Sequence, residues 1–496
     1  MERVRMGARE HAVVIAGGGP AGMMLAAELA LAGVDVEIVE RRADHVRAGS
    51  RAGGFQSRTV EVFDQRGIAD RFLAGGQLHR VVMFGGSALD TSDLPTRHPY
   101  TVAIWQNQIE RILAGWIAEL AVHIRYACAV TGFEQDEGGV DVHLADGEPL
   151  RAEYLVGCDG GRSVIRRGAG IEFPGWDATR SNLIAEVEMS EGPETDVLRH
   201  DATGVHGLHK MEDGKTFRVV VTEREIGPSS EPTLGDLREA LITVFGTDYG
   251  AHRPTWISRF TDMTRQAAAY RNRRVLLAGD AAHIHYPAGG QGLSLGVQDA
   301  VNLGWKLAQV VNGISPESLL DTYHAERHPV GARVLKHTMA QAILQRRDDR
   351  TQALVEVISE LASMEEPRRH IVGLMTGLDI HYEIGEGHPL LGRRMPDLEL
   401  ATAEGALRVY ELLHDGRPLL LNLGVPGSVD IAAWADRVRL ADARHQGEWE
   451  LPVIGKVNAP TAVLVRPDGY VGWVGRGSQQ GLPEALIAWC GPPAAT

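Results

Sequence analysis

The chain has 496 residues, of which 44% are hydrophobic and 23% charged, and its formal net charge at pH 7 is −15. Such a length predicts two or three domains, each large enough to bury its own core. The acidic balance argues against nucleic acid and anionic membranes as partners, because both are bound by clustered Lys and Arg. Glycines and Glu28 interrupt the N-terminal apolar stretch, so neither a signal peptide nor a membrane span is expected there.

The first structured segment, HAVVIAGGGPAGMMLAAELALAGVDVEIVER, covers residues 11–41. Its apolar pattern predicts a strand, a helix and a second strand over 12–16, 21–32 and 34–39. Gly17, Gly19 and Gly22 fit the pattern G-x-G-x-x-G, and Glu40 follows at the distance from which an acidic side chain holds a ribose hydroxyl. The glycines allow a tight turn, a close approach of backbone to a pyrophosphate, and close packing of helix on strand. The segment therefore predicts a dinucleotide-binding βαβ unit.

The middle of the chain has the pattern of an antiparallel sheet. Residues 181–190 and 215–224 alternate apolar and polar side chains over much of their length, as half-exposed strands do. Thr233 precedes LGDLREALITVF, which has the pattern of a capped amphipathic helix. These elements predict a sheet inserted into the nucleotide-binding fold and closed by a helix.

A second glycine-rich segment, RVLLAGDAAHIHYPAGGQGLSLGVQDAVNLGWKLA, covers residues 274–308. Its apolar strand, 275–278, ends at Gly279 and Asp280, and a glycine loop then leads into a helix that begins near Gly292. An aspartate at a strand end can accept hydrogen bonds from a polyol chain, and a glycine loop brings bare backbone against a flat ring. The positive end of the helix dipole stabilises an anionic reduced ring at that place.

The last part of the chain predicts a further small domain. The long helical region from about Gly292 to Arg347 is expected to break near Gly313, Pro316 and Pro329. From about residue 390 the pattern is that of a strand, a hairpin with a Pro467-Asp468-Gly469 turn, and a terminal helix, which resembles a thioredoxin-like fold.

The cysteines exclude several kinds of site. Cys128, Cys158 and Cys490 are the only ones, and no C-x-x-C pair is present. Neither a disulfide framework nor a thiolate zinc site is indicated, and a reducing cytoplasm fits best. The C-terminal domain accordingly lacks the paired cysteines of redox chemistry.

The residues from Gly17 to Glu40, CDGGRSVIRR at 158–167 and GDAAHIHYPAGGQG at 279–292 together resemble the three fingerprints of class A FAD-dependent aromatic hydroxylases, the p-hydroxybenzoate hydroxylase fold. Two further segments, SRAGGFQSRTVEVFDQRG and YHAERHPVG, together with the extra C-terminal domain, resemble the subgroup that tailors bacterial aromatic polyketides. That subgroup includes angucycline-type hydroxylases and rifampicin monooxygenases. The resemblance implies an α/β fold: a Rossmann-like FAD-binding domain over 1–175 and 266–389, a substrate domain with an antiparallel sheet over 176–265, and a thioredoxin-like domain over 390–496.

The resemblance also implies cofactor contacts. At the adenosine and pyrophosphate end it places Gly17, Gly19, Ala21, Gly22, Glu40 and Arg41. Towards the flavin and its ribityl chain it places Arg51, Gln106, Asp159, Asp280, Pro287, Gly290, Gly292 and Leu293. Ser163 and Arg166 accompany Asp159 in the second fingerprint, which in relatives supports both FAD and the reduced nicotinamide donor. Pro287 and Ala288 would present backbone to flavin and substrate, whereas Arg58 is expected to be an ordinary surface charge.

The activity implied by the resemblance is that of a monooxygenase. NAD(P)H reduces bound FAD, oxygen adds to give a C4a-hydroperoxide, and one oxygen atom enters a phenolic or polycyclic aromatic substrate, with the protein supplying binding, orientation and electrostatics. No catalytic acid or base is indicated. Phe217, Val219 and Val221 share one strand face, where they either line the substrate cavity or pack in a core.

Several alternatives stay open. Epoxidation or Baeyer-Villiger insertion on an antibiotic, a dehydrogenase that uses the first glycine motif, and a non-catalytic flavin- or ligand-binding protein are the rivals to hydroxylation. The oligomeric state, monomer or homodimer, also stays open. His283 with His285, and His206 with His209, lack the further ligands of a metal site, and His283 is expected to brace the loop beside the pyrophosphate.

Overall fold

A computed structural model describes residues 9–46, 49–201, 203–228, 230–346 and 348–494. Its central sheet has, in spatial order, the strands Arg271–Asn272, Val275–Leu277, Leu150–Gly157, Arg9–Ala16, Val36–Val39 and His123–Arg125. All neighbours in this order pair in parallel except the first two. Two antiparallel strands, Val130–Gln135 and Val140–Leu144, extend from Leu150–Gly157. The run Val13 to Ala16 is apolar at every position because helices cover both faces of such a sheet.

Nine α-helices of the described residues accompany this sheet outside the inserted sheet and the C-terminal domain. They are Pro20–Leu31, Ser57–Asp64, Ala69–Leu73, Gln106–Glu119, Val164–Gly168, Gly292–Val311, Asp321–Leu344, Asp349–Ser363 and Glu365–Thr376. Short strands form three small sheets: Gly54–Phe55, Gln77–His79 and Thr101–Ala103; Val81–Phe84 and Ser87–Asp90; Gly175–Trp176, Thr264–Gln266 and His283–Ile284. The expected breaks at Gly313 and Pro316 separate two helices, whereas Pro329 lies inside the helix Asp321–Leu344. The break at Pro329 was therefore wrong; buried neighbours such as Val330 anchor that helix on both sides of the proline and offset the lost backbone hydrogen bond.

The inserted sheet is fully antiparallel. Its strands, in spatial order, are Val197–His200, Val205–Lys210, Thr216–Thr222, Ser181–Met189 and Ala251–Thr261. The helix Leu234–Phe245 packs on one face, and Thr233 and Asp236 close its N-terminus with a reciprocal capping box. This confirms the capped helix expected after Thr233.

One face of the inserted sheet forms a closed core. Phe217, Val219 and Val221 are buried there with Leu237 and Leu241 of the helix. Their side chains therefore pack in a core, which is the second of the two roles that the sequence left open. The expectation that these three residues line the substrate cavity was therefore wrong, because the helix covers their face of the sheet.

The C-terminal domain has a four-stranded sheet in the order Arg439–Asp442, Leu419–Asn422, Ala462–Val465 and Val471–Gly475. The first pair is parallel and the other two pairs are antiparallel, and the helix Leu482–Cys490 follows. Two hairpins flank the sheet, Glu399–Thr402 with Gly405–Arg408 and Trp449–Leu451 with Gly455–Val457. This is the strand order of a thioredoxin-like fold. Within the described residues, no helix is both long and apolar enough to cross a membrane.

Candidate functional site

The segments that the sequence singled out lie side by side at one edge of the central sheet. The strands that end at Leu277, Gly157, Ala16 and Val39 are consecutive neighbours and run in parallel, so their carboxyl ends share one edge. From a strand spacing of about 4.8 Å, Asp280 and Glu40 follow strands roughly 14 Å apart. The chain order reverses between Arg9–Ala16 and Leu150–Gly157, and such a switch point is where open α/β sheets bind ligands.

The first glycine motif closes the switch point tightly. Gly17 has a φ of +108°, and a Cβ on it would lie 2.5 Å from the carbonyl oxygen of Cys158. A Cβ on Gly22 would overlap the carbonyl oxygen of Gly17, so helix and strand touch as backbone. A Cβ on Gly19, by contrast, would meet nothing within 4 Å, so the loop has open space above it. The helix Pro20–Leu31 has no side-chain cap, which leaves its first amides available to an anion.

Glu40 stands beside this loop and is held by Arg42. Glu40 accepts hydrogen bonds from Gly18 N (2.7 Å) and Arg42 N (2.9 Å). The Arg42 guanidinium contacts Glu40 (3.1 Å), the Gly18 carbonyl (2.9 Å) and the buried Glu110 (2.6 Å). Burial raises the pKa of Glu40, but the hydrogen bonds and charge of Arg42 outweigh it, and the pKa falls below its ordinary value. Glu40 is therefore a carboxylate at neutral pH.

The structure places Arg42, and not Arg41, against the adenosine-end carboxylate. Arg41 is exposed to solvent. The chain bends from Arg41 onwards, and at Arg42 both the backbone N–H and the guanidinium reach Glu40.

Gln106 joins the same network from the next helix. Its amide donates to Glu110 (2.8 Å) and its carbonyl oxygen accepts from Ala52 N (3.2 Å). Arg51, the residue before Ala52, donates to the Ser258 hydroxyl of the inserted sheet (2.6 Å). Gln106 and Arg51 therefore tie the loop before Gly54–Phe55 to both domains.

Asp159 lies at the end of Leu150–Gly157 and caps a short helical turn. Its Oδ2 accepts from Val164 N (2.6 Å) and Ile165 N (3.2 Å), and Ser163 accepts from Arg166 N (2.9 Å). The second oxygen, Oδ1, is buried and has no hydrogen-bond partner among the described residues. A buried acceptor without a donor is costly, so this oxygen is suited to a ligand hydroxyl or amide.

Asp280 is exposed, and none of the described residues forms a hydrogen bond with its side chain. It stands on a single 3₁₀ turn, Gly279–Ala281. Behind that turn the backbone packs closely: a Cβ on Gly279 would lie 3.1 Å from Ala21 Cβ, and one on Gly296 would lie 3.3 Å from Gly279 Cα. Ala21 thus serves as a small residue where the two helices and the turn meet.

Beneath the turn is a buried ionic group that the sequence analysis missed. Asp299 accepts from His283 Nε2 (2.6 Å), Arg327 Nε (2.8 Å) and Gly279 N (3.3 Å). Burial raises the pKa of Asp299, but Arg327 and His283 outweigh this and lower it below the ordinary value. His283 braces the loop, as expected, and its anchor is an aspartate from the following helix.

The glycine loop that follows is held from below by Gln56. Its amide donates to the carbonyl oxygen of Gly289 (2.8 Å), and its backbone N–H donates to the Ser294 hydroxyl (3.1 Å). On this loop Pro287 and Gly290 are exposed, Gly292 and Leu293 are partly exposed, and Ala288 is buried. The helix Gly292–Val311 begins without a side-chain cap, so its positive end also faces the site.

The second face of the inserted sheet faces these loops. Phe260 lies 6.0 Å from Tyr286 between ring centroids, and Arg218 lies 4.5 Å above the ring of Trp105. The side chains of Phe260, Arg218 and Val220 are partly exposed, unlike those of the opposite face. A planar aromatic molecule has ring surfaces to stack on here.

These residues fit FAD. Hydrogen-bond donors and acceptors follow one edge of the sheet. The donors are the amides of two uncapped helix N-termini, and the acceptors are the unpartnered Oδ1 of Asp159 and the exposed carboxylate of Asp280. The space above Gly19 is open. FAD is an elongated molecule, and each of its parts has a partner here: the helix N-termini for the phosphates, the Asp280 carboxylate for the polyol chain and the glycine loop for the flat ring.

Comparisons with known proteins agree with this geometry. Residues 10–338 match the family described as "FAD binding domain", and residues 388–493 match "Aromatic-ring hydroxylase, C-terminal". Rifampicin monooxygenase of Streptomyces venezuelae is 45% identical over 491 residues, covering 97% of this chain and 98% of the relative. Dialkyldecalin synthase of Streptomyces rugosporus is 39% identical over 495 residues, covering 97% and 99%.

A solved structure extends the likeness to three dimensions. The anhydrotetracycline hydroxylase OxyS from Streptomyces rimosus superposes with a TM-score of 0.89 at 43% sequence identity, covering 98% of this chain and 100% of that one. The family model spans most of the chain, and the relatives match it over nearly their full length, so both comparisons indicate the same family. The chain belongs to the FAD-binding aromatic-ring hydroxylases, a family of flavoprotein monooxygenases.

Proposed function

We propose that the protein uses NAD(P)H and molecular oxygen to insert one oxygen atom into a polycyclic aromatic substrate of the polyketide type. The observation that carries this proposal is the second face of the inserted sheet, where Phe260 lies opposite Tyr286, beside the glycine loop 287–293, which we call the flavin loop. Rifampicin monooxygenase and anhydrotetracycline hydroxylase, the named relatives, act on substrates of this class by their names. The three cysteines are free, which supports a reducing cytoplasmic setting.

FAD, when bound, accepts reducing equivalents and activates oxygen. The chain's own residues bind and orient it. Glu40, fixed by Arg42, holds the adenosine ribose, the glycine loop and helix N-terminus hold the pyrophosphate, and Asp280 holds the ribityl hydroxyls. The backbone from Pro287 to Leu293 meets the ring, with the positive end of the following helix stabilising negative charge on it.

The substrate lies between that loop and the inserted sheet. Phe260 and Tyr286 stack on its rings and exclude water, while Arg218 and Trp105 close one side. The proposal assigns no side chain as general acid or base, and the orientation of the substrate is the protein's main contribution.

The test is NAD(P)H oxidation by the FAD-loaded protein against a panel of polycyclic aromatic polyketides, with mass analysis of products. We expect substrate-stimulated oxidation and a product heavier by one oxygen atom. The relative named dialkyldecalin synthase suggests a second candidate, an enzyme of this fold that builds a ring system without inserting oxygen. A product of unchanged mass and no NAD(P)H consumption would support that candidate and overturn the oxygenase proposal.

A further inference from the structure

The C-terminal domain inserts a charged hairpin turn into the flavin-binding domain. The turn joins the strands Ala462–Val465 and Val471–Gly475. Arg466 is 0% exposed and Asp468 is 2% exposed, although turns normally lie at the surface. Charged side chains are buried at this depth only when they are paired, so the turn has a specific binding place in the other domain.

The first connection runs from the turn to the base of the flavin motif. Arg466 forms a bidentate pair with Glu326, at 2.7 and 2.8 Å. The next residue on that helix, Arg327, donates to Asp299 and also to the Leu295 carbonyl (3.3 Å). Asp299 in turn holds His283 and Gly279, so the turn is linked in three steps to the beginning of the 279–292 segment.

The second connection runs through the helix Ser57–Asp64. Arg58 donates to the carbonyl oxygen of Asp468 (2.8 Å), and Arg66, just after the helix, donates to that of Pro467 (2.7 Å). Arg58 is therefore buried at a domain interface, and the expectation of a surface charge was wrong. Gln56, which immediately precedes the same helix and lies two residues before Arg58, donates to the Gly289 carbonyl in the glycine loop and to the Ser294 hydroxyl just after it.

The domain does not contribute thiol chemistry. Its single cysteine, Cys490, is buried, and burial raises the pKa of that thiol to about 12. The domain instead forms directional hydrogen bonds with the flavin-binding domain through the turn at 466–468. Because apolar side chains of equal volume often stabilise an interface as well or better, stability alone does not explain these buried charges, and we infer that they set the orientation of the residues they contact.

We propose that the C-terminal domain is a positioning module for the flavin loop, in which the Arg466–Glu326 pair orients Arg327 and the turn backbone orients the helix that carries Gln56. Arg466 and Glu326 are positioning residues and touch neither cofactor nor substrate. The inference rests on the proposed function only in that residues 287–293 meet the flavin.

The test replaces the hydrogen-bonded ion pair by apolar side chains of similar volume in the full-length protein. The double variant Arg466→Met with Glu326→Leu keeps an interface of similar volume and leaves Lys306 and Asp468 as opposite charges on either side of Asn302. Two measurements need no substrate: the dissociation constant of FAD from the refilled apoprotein, and the visible absorption spectrum of the bound flavin. We expect a folded protein with an altered spectrum and an FAD dissociation constant raised between about twofold and thirtyfold, the range for changes along a coupling network.

Two further variants complete the design. Lys456→Met removes an exposed pair with Glu448 in the same domain and is expected to change neither measurement. Arg466→Lys keeps the charge but loses the two-pronged contact, and it carries the test if the double variant does not fold. A folded double variant, or Arg466→Lys in its place, with the parental FAD affinity and spectrum overturns the inference. Because both readouts are independent of turnover, they stand even if no aromatic substrate is oxidised.

Discussion

Gly17 and Cys158 belong to neighbouring parallel strands and meet so closely that a Cβ on Gly17 would lie 2.5 Å from the carbonyl oxygen of Cys158. Two consequences follow, one for stability and one for the cofactor. The chain's own packing requires glycine at position 17, whereas open space above Gly19 leaves that position to the ligand.

The variants Gly17→Ala and Gly19→Ala separate these two roles. Gly17→Ala meets a positive φ and a backbone clash, and we expect it to destabilise the apoprotein by about 1–3 kcal/mol. Gly19→Ala should leave the apoprotein melting temperature unchanged but weaken FAD, because the added methyl occupies the space of the pyrophosphate. Calorimetry of the apoprotein and FAD titration measure the two effects. Equal FAD affinity for Gly19→Ala and the parent would contradict the placement of the phosphates.

Asp280→Ala should lose FAD without losing stability. The side chain is exposed and forms no hydrogen bond with a described residue, so its removal leaves no buried group unpaired. A hydrogen bond to a charged acceptor contributes about 1.5–3 kcal/mol, which predicts a roughly ten- to hundredfold rise in the FAD dissociation constant. Glu404→Ala, an exposed carboxylate of the C-terminal domain, is the control. Unaltered FAD retention by Asp280→Ala would show that the ribityl chain lies elsewhere.

Arg42→Met and Arg41→Met compare the two arginines that follow Glu40. Removing Arg42 takes a cation from Glu40 and from the buried Glu110, and we expect a loss of about 2 kcal/mol in stability, below the cost for a fully buried pair, together with weaker FAD binding. Arg41→Met should stay within about 0.5 kcal/mol of the parent, as exposed substitutions do. Denaturant unfolding and FAD titration give both values. A larger effect from Arg41→Met would restore the assignment made from the sequence.

Phe217→Ala and Phe260→Ala distinguish the two faces of the inserted sheet. Phe217 is 2% exposed in the core, so its truncation should cost about 3–5 kcal/mol and leave the KM for the aromatic substrate unchanged in the folded fraction. Phe260 is partly exposed opposite Tyr286, so its truncation should raise KM with little loss of stability. Melting curves measure the loss of stability, and steady-state kinetics measure the change in KM. The reverse pattern would place the substrate on the other face.

Lys306 predicts a pH dependence of stability. Burial lowers the pKa of this lysine from 10.5 to about 8, although Glu326 opposes the shift. Between pH 8 and 10.5 the folded protein has released the proton that the unfolded chain still holds, so unfolding takes up a proton and stability rises with pH. Relative to Lys306→Met, the parent should therefore gain stability across this interval and show a constant difference below pH 8. A difference in melting temperature that stays flat from pH 8 to 10 would contradict the shift.

The fold and the places of the glycine motifs in it were predictable because they depend on short stretches of chain. The run of apolar residues before Gly17 and the helix after it specify a βαβ unit from within about thirty residues, and the capping box at Thr233 needs only its next three. Asp280 and Glu40 were singled out as candidates because Asp280 comes just after an apolar strand and Glu40 follows the glycine motif at the distance typical of a ribose-binding carboxylate.

The remaining features depend on which distant residues become neighbours. Alternation along Thr216–Thr222 showed that Phe217 and Val219 share a face, but only the packing of the helix Leu234–Phe245 decided that this face is the closed core. Arg466 and Glu326 are separated by 140 positions, and nothing in either local sequence indicates that one charge neutralises the other. The sequence by itself determined the elements and the motifs, because backbone preferences and periodicity act locally. Only the tertiary structure decided which face of the inserted sheet is closed in a core and which buried charges pair beneath the 279–292 segment, because burial and pairing arise when the domains pack together.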